Sequence, residues 1–106
     1  MTRVVVAVVP DLMDRSRLAA PDVEVVNAGP GALAEVLAAR RAAGGVALVV
    51  VDLARPGALD AVTGLDLPVV GFAPHVDDEL LARARAAGVD ALPRSRFFAR
   101  WPDVGG

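Results

Sequence analysis

Cysteine is absent from the 106 residues. Disulfide frameworks, thiolate zinc sites and cysteine nucleophiles are therefore excluded. Lysine is absent as well, so all 11 basic residues are arginine, and neither a Schiff-base lysine nor a lysine-held phosphate is available. Isoleucine, tyrosine and glutamine are also missing, as codon bias in a GC-rich genome would produce. One histidine, two serines and two threonines leave little from which to build a Ser-His-Asp triad. An excess of charge of one sign is lacking too. The 11 basic and 13 acidic groups give a net charge of -2, unlike the basic balance of a dedicated nucleic-acid binder. No apolar run reaches the roughly 18 residues of a membrane span. Met1-Thr2-Arg3 leads directly into a strand-like run and not into a signal peptide. The expectation is a soluble cytoplasmic domain with neither membrane nor nucleic acid as partner.

What the chain has is apolar mass: 55% of it is hydrophobic, too much for a disordered segment. A chain of this length buries roughly 60–70% of its unfolded surface, enough for one core. Residues 1–106 are read as a single domain, with 102–106 as a flexible tail.

Arg3–Val9 is a continuous β-branched run closed by Pro10-Asp11, and Val23–Val26 is a second, shorter one. Pro30 is placed to open a helix, Leu33, Val36 and Leu37 recur at helical spacing, and Gly44-Gly45 stops it. Val46–Val51 is a third strand, ended by Asp52. A short helix carries Leu59, Val62 and Leu65, and Pro68–Phe72 is a fourth strand. Asp77 reads as an N-cap with Asp78 and Glu79 in the first turn, Gly88 closes that helix, and Val89–Leu92 is a fifth strand. Ser95–Trp101 has room for about two further turns.

Strands without alternation, separated by helices, predict a parallel sheet covered on both faces. Five units in about 100 residues fit the flavodoxin-like strand order 2-1-3-4-5, a three-layer α/β/α domain. Its first and last helices are shortened: Asp11–Asp22 is brief and holds Pro21, and the last segment is ended by Pro102. These two helices cover the same face of such a sheet. Either the tail folds back over that face or a second subunit covers it. The predicted interface residues are Leu12, Leu18, Phe97, Phe98 and Trp101, in a homodimer through this face or the last-strand edge.

Ligands in such sheets bind beyond the carboxyl ends of the strands. Asp52 and Asp11 meet there, and two carboxylates at a switch point could share a hydrated Mg²⁺. Asn27, Ala73, His75, Arg94, Ser95 and Arg96 are the candidate ligand contacts at the same rim. Gly29-Pro30-Gly31 lacks the spacing of a phosphate loop.

The stretch LVVVDLARPG (48–57) resembles the third-strand segment of response-regulator receiver domains. VEVVNAGPGALAEVL and LPVVGFAPHVDDELLARARAAGVDALPRS resemble further strands and helices of that family, so the likeness spans about residues 3–98. The resemblance implies Asp52 as phosphoacceptor and Asp11 as Mg²⁺ ligand. Three of the five usual positions differ. Pro10-Asp11 stands where two acids are usual, Ala73 replaces a hydroxyl residue, and Ser95, flanked by Arg94 and Arg96, replaces the lysine. The leading expectation is thus a stand-alone degenerate receiver: a non-enzymatic protein-interaction module of bacterial signalling, without a resident cofactor. The alternatives are a working Mg²⁺-dependent phosphoacceptor and a small phosphometabolite binder. His75-Val76-Asp77-Asp78-Glu79 resembles the His-Pro-Asp-Asp-Glu signature of zinc-dependent N-acetylglucosamine deacetylases. The chain has no second His to complete a zinc site, and the stretch reads as the start of a helix.

Overall fold

Valine-rich strands form the centre of the molecule. The computed structural model describes residues 2–104. Strand β1 (Arg3–Val8) is followed by helix α1 (Leu12–Arg17) and strand β2 (Val23–Asn27). A 3₁₀ turn at Pro30–Ala32 runs into α2 (Leu33–Ala43), with proline at the position where a missing N–H costs nothing. Then come β3 (Leu48–Asp52), α3 (Ala58–Val62), β4 (Val69–Ala73), α4 (Asp78–Ala86), β5 (Asp90–Pro93) and α5 (Arg94–Arg100).

The five strands are parallel and ordered β2-β1-β3-β4-β5, the order expected from the sequence. Val5 pairs with Leu48 and Val8 with Val51, so β1 and β3 end side by side. All five residues of β3 and of β4 are buried, which is why their sequences show no polar alternation.

Side chains alternate between two apolar layers. Val6, Val8, Val49 and Val51 face the layer filled by Leu33 and Leu37 of α2, Val62 of α3 and Leu81 of α4. Gly71 in β4 makes room there for Leu53. A Cβ at Gly71 would lie 2.7 Å from Leu53 side-chain carbons, and Leu53 is itself buried. Val5, Ala7, Val50 and Phe72 face the other layer, with Leu18, Phe97 and Val104.

That second layer has the thin cover. Helix α1 has six residues and α5 seven. The tail folds back and completes it: Phe72 and Phe97 stack with ring centroids 5.0 Å apart, and Trp101 packs on Phe97 at 5.6 Å. The Trp101 indole Nε1 donates to the Leu18 carbonyl at 2.9 Å, so the ring's one polar group is satisfied. Arg3 Nη1 donates to the Pro102 carbonyl at 3.1 Å. Of residues 102–106, expected to be a flexible tail, Pro102 is half-buried and Val104 buried here while Asp103 is exposed; Gly105 and Gly106 lie outside the described residues.

Two of the expected interface residues are corrected by this packing. Leu18 and Phe97 are fully buried within the monomer and offer no surface to a partner. Phe98 and Trp101 are half-buried, whereas Leu12 is 73% exposed. The Asp77 side chain also departs from expectation. It occupies the N-cap position of α4 but makes no capping hydrogen bond; its backbone N–H donates to the Pro74 carbonyl instead.

Candidate functional site

Because β1 and β3 are adjacent and parallel, the residues after their carboxyl ends meet at one rim. Asp11 and Asp52 line the same cleft there, of ≈ 550 Å³. With them stand Asp14, Arg17, Arg55 and Arg94. Three carboxylates thus face three guanidinium groups, and the hydrogen bonds show how they are spent.

Asp11 caps α1. Its Oδ1 accepts from the backbone N–H groups of Met13 at 2.9 Å and Asp14 at 3.0 Å. The Asp14 N–H does most to hold the Asp11 carboxyl below its ordinary 3.8; partial burial opposes this, and the Met13 N–H and the charges of Arg55 and Arg94 add to the lowering.

Asp14 is buried on the inner side of α1, where Arg94 reaches it from the first turn of α5. The guanidinium forks onto the carboxylate, with Nη1 on Oδ2 and Nη2 on Oδ1. Two parallel charge-assisted bonds are the strong geometry for this pair. They hold Arg94 above its already high ordinary value. The hydrogen bond to Asp14 is the largest cause, opposed by burial and reinforced by the charges of Asp14, Asp52 and Asp11. Arg94 is therefore a permanent cation.

Asp52 ends β3 with only 7% of its surface exposed. Its Oδ1 accepts from the Ala54 N–H at 3.2 Å and its Oδ2 from Arg55 Nε at 3.2 Å. Arg17 lies over the Phe98 ring, 4.0 Å from its centroid.

Of the residues expected at this rim, Asp11, Asp52 and Arg94 come together. Ala73 ends β4 and is buried, so it presents a methyl group where the receiver resemblance would want a hydroxyl. Asn27 lines a different cavity, on the β2 side of β1. His75, Ser95 and Arg96 are exposed and do not line the carboxylate cleft. Sequence reasoning missed Asp14 and Arg55. The signals were faint: Asp14 is three residues past the cap, and Arg55 is three past Asp52.

The donor set suits Mg²⁺ poorly. Among the described residues, no three metal-ligating side chains converge. That alone decides nothing, since Mg²⁺ is often held by one or two carboxylates and waters. The pairing decides it: the Asp11 carboxylate is a helix cap, Asp14 is forked by Arg94, and Asp52 is bound by Arg55. A dication would enter against three guanidinium groups. Among the described residues no helix is long and apolar enough to cross a membrane.

No family model, curated protein or solved structure matches the chain. The likeness to receiver domains therefore rests on the quoted residues and on the sheet order.

Proposed function

We propose that this chain is a degenerate receiver-like module that works by presenting its rim to another protein, in a bacterial signalling system, without taking phosphate. The observation that carries the reading is that each carboxylate of the cleft is already bonded, Asp14 and Asp52 by arginines and Asp11 by backbone N–H groups. A phosphoryl acceptor needs a carboxylate that a metal can reach, and a cation and a hydroxyl left over to receive the new charge. Here Arg94 is forked onto Asp14, Arg55 is tied through Nε to Asp52 itself, and Ala73 has no hydroxyl.

Exposed apolar side chains favour contact with a protein. Among the described residues, the large hydrophobic residues that stand open to solvent are Leu12, Met13 and Val76, each 73–76% exposed. Leu12 and Met13 follow β1, and Val76 follows β4, so all three stand on the carboxyl-end rim. Buried interface cores are built from such residues, with charged groups around them. A second copy of this chain is one form the partner could take.

The test is affinity capture from the native host with wild type, Asp52→Ala and the double variant Leu12→Glu/Met13→Glu. The same partner is expected with wild type and Asp52→Ala, and its loss with the double variant. Retention by the double variant would sink the proposal. A companion experiment adds Mg²⁺ and beryllofluoride while amide resonances are recorded. No saturable change is expected. A saturable, Mg²⁺-dependent change lost in Asp52→Ala would establish the phosphoacceptor reading instead.

A further inference from the structure

On the other side of β1 the rim holds a second cavity, of ≈ 450 Å³, between the ends of β1 and β2 and the turn after β3. Its chemistry is unlike that of the carboxylate cleft. No acidic residue lines it, but two arginines do, Arg15 from α1 and Arg55 from the β3–α3 turn. The rest of the wall is mostly apolar, with Pro10, Pro30 and Pro56 as rigid surfaces and Asn27 as a polar edge.

Both arginines have donors to spare. Arg15 Nη2 donates to the Pro10 carbonyl at 3.1 Å, but Arg15 Nε is buried and has no hydrogen-bond partner among the described residues. Buried donors are nearly always paired, because leaving one unmade forfeits its hydration for nothing. Arg15 Nη1 makes no hydrogen bond among the described residues either, which leaves an outer nitrogen for an acceptor in the cavity. Arg55 spends Nε on Asp52, and its Nη groups make no hydrogen bond among the described residues.

We infer that this cavity binds a small organic anion. A carboxylate or phosphate head lies between Arg15 and Arg55, and an apolar body rests on the three prolines. The volume is within the range of small-molecule sites, and strand carboxyl ends are where open α/β sheets take ligands. A planar guanidinium suits both head groups. The inference does not depend on the interaction role, but it gives that role an input. Arg55 lines both cavities, so an anion held by its Nη groups competes with Asp52 for the same cation.

The experiment is an amide NMR titration of the full chain with benzoate, phenyl phosphate and benzamide. Benzamide has nearly the shape of benzoate without its charge. Saturable shifts are expected at the amides of Val9, Ala28 and Gly29 with at least one of the two anions, and the tighter of them identifies the head group. Benzamide should bind at least about tenfold more weakly, a difference of about 1.4 kcal/mol. Arg15→Gln and Arg55→Gln should each weaken the anion about tenfold, while Arg40→Gln, at a residue beside the start of β1 at the opposite end of the strands, should not. The inference is overturned by any of three results: no saturable shift with either anion up to about 10 mM, ten times a millimolar dissociation constant; equal binding of benzamide; or shifts centred on Asp14 and Arg94.

Discussion

The two faces of the sheet are closed by different means. The face under α2, α3 and α4 is covered by aliphatic side chains alone, Leu33, Leu37, Val62 and Leu81 among them. The face under α1 and α5 has thirteen helical residues, six and seven, and adds aromatic bulk and polar ties. Phe72, Phe97, Phe98 and Trp101 form one connected aromatic group there. Trp101 is tied to Leu18, and Arg94 of α5 is forked onto Asp14 of α1. A short helix offers few positions to bury, so each buried residue must be larger, and its orientation must be held by specific bonds. The difference has a functional side. The ion pair that clasps the thin face also takes up one of the cations lining the cleft of Asp11 and Asp52, so closing the fold and pairing a rim charge are one arrangement.

The strongest break in this comparison is Phe97→Ala. Its ring is fully buried between Phe72 and Trp101. Removing it should cost about 3–5 kcal/mol. Denaturant unfolding would show this as a lower midpoint, read together with the slope to confirm two-state behaviour. A loss below about 1 kcal/mol would mean that the aromatic group is not what closes the face.

Next is Gly71→Ala, which overfills the aliphatic side. The added methyl would sit 2.7 Å from carbons of a Leu53 that is buried and has little room to move. The expected cost is about 1–3 kcal/mol. In the double variant Gly71→Ala/Leu53→Ala the two effects should be strongly non-additive, because the clash disappears with the leucine. Additivity would show that the glycine serves something other than Leu53.

Asp14→Asn tests the clasp itself. It leaves the shape but removes the charge that Arg94 faces. Breaking one partner of a fully buried pair costs about 3–5 kcal/mol. Here the arginine side chain is 41% exposed, so water screens the loss, and about 1–2 kcal/mol is expected. With Arg94 freed, the cleft should also gain affinity for anions, measurable by sulfate-dependent shifts in the amide resonances of α1. A variant as stable as wild type would make the ion pair a surface accident.

The architecture was legible in the sequence because its cause is local. Val4–Val9 and Val46–Val51 are apolar at every position, which only a doubly covered parallel strand explains. Parallel neighbours then bring Asp11 and Asp52 to one rim without further information. The boundaries slipped where pairing register decides them. Val46 lies outside β3, which is paired with β1 only from Leu48, and Val89 closes α4 by donating to the Ala84 carbonyl and does not begin β5. The clasp was not legible. Asp14 sits in six helical residues, too few for a periodic signal, and its partner is 80 residues away. Arg94 is one of three arginines within seven residues, and only the orientation of α5 selects it. The burial of Leu18 and Phe97 was hidden for the same reason: an apolar residue on a short helix looks alike whether it faces a partner or its own sheet.

The smallest expected effect is at Asp11, and its pH dependence distinguishes a cap from a metal ligand. Folded Asp11 binds its proton more weakly than unfolded Asp11, because capping by the Asp14 and Met13 N–H groups requires the carboxylate. The unfolded chain therefore takes up a proton first as pH falls. The stabilisation is complete above the ordinary value of 3.8 and is lost progressively below it, as pH falls through the lower folded value. Asp11→Ala lacks the cap at every pH. Its melting temperature should lie slightly below that of wild type at neutral pH, and the gap should shrink as both are taken below 3.8. Added Mg²⁺ should leave the gap unchanged at neutral pH, because one Asp11 oxygen is taken by two backbone hydrogen bonds and the charges of Arg55 and Arg94 oppose a dication at the other. A gap that instead widens with millimolar Mg²⁺ would place a cation on Asp11 and return the rim to phosphoryl chemistry.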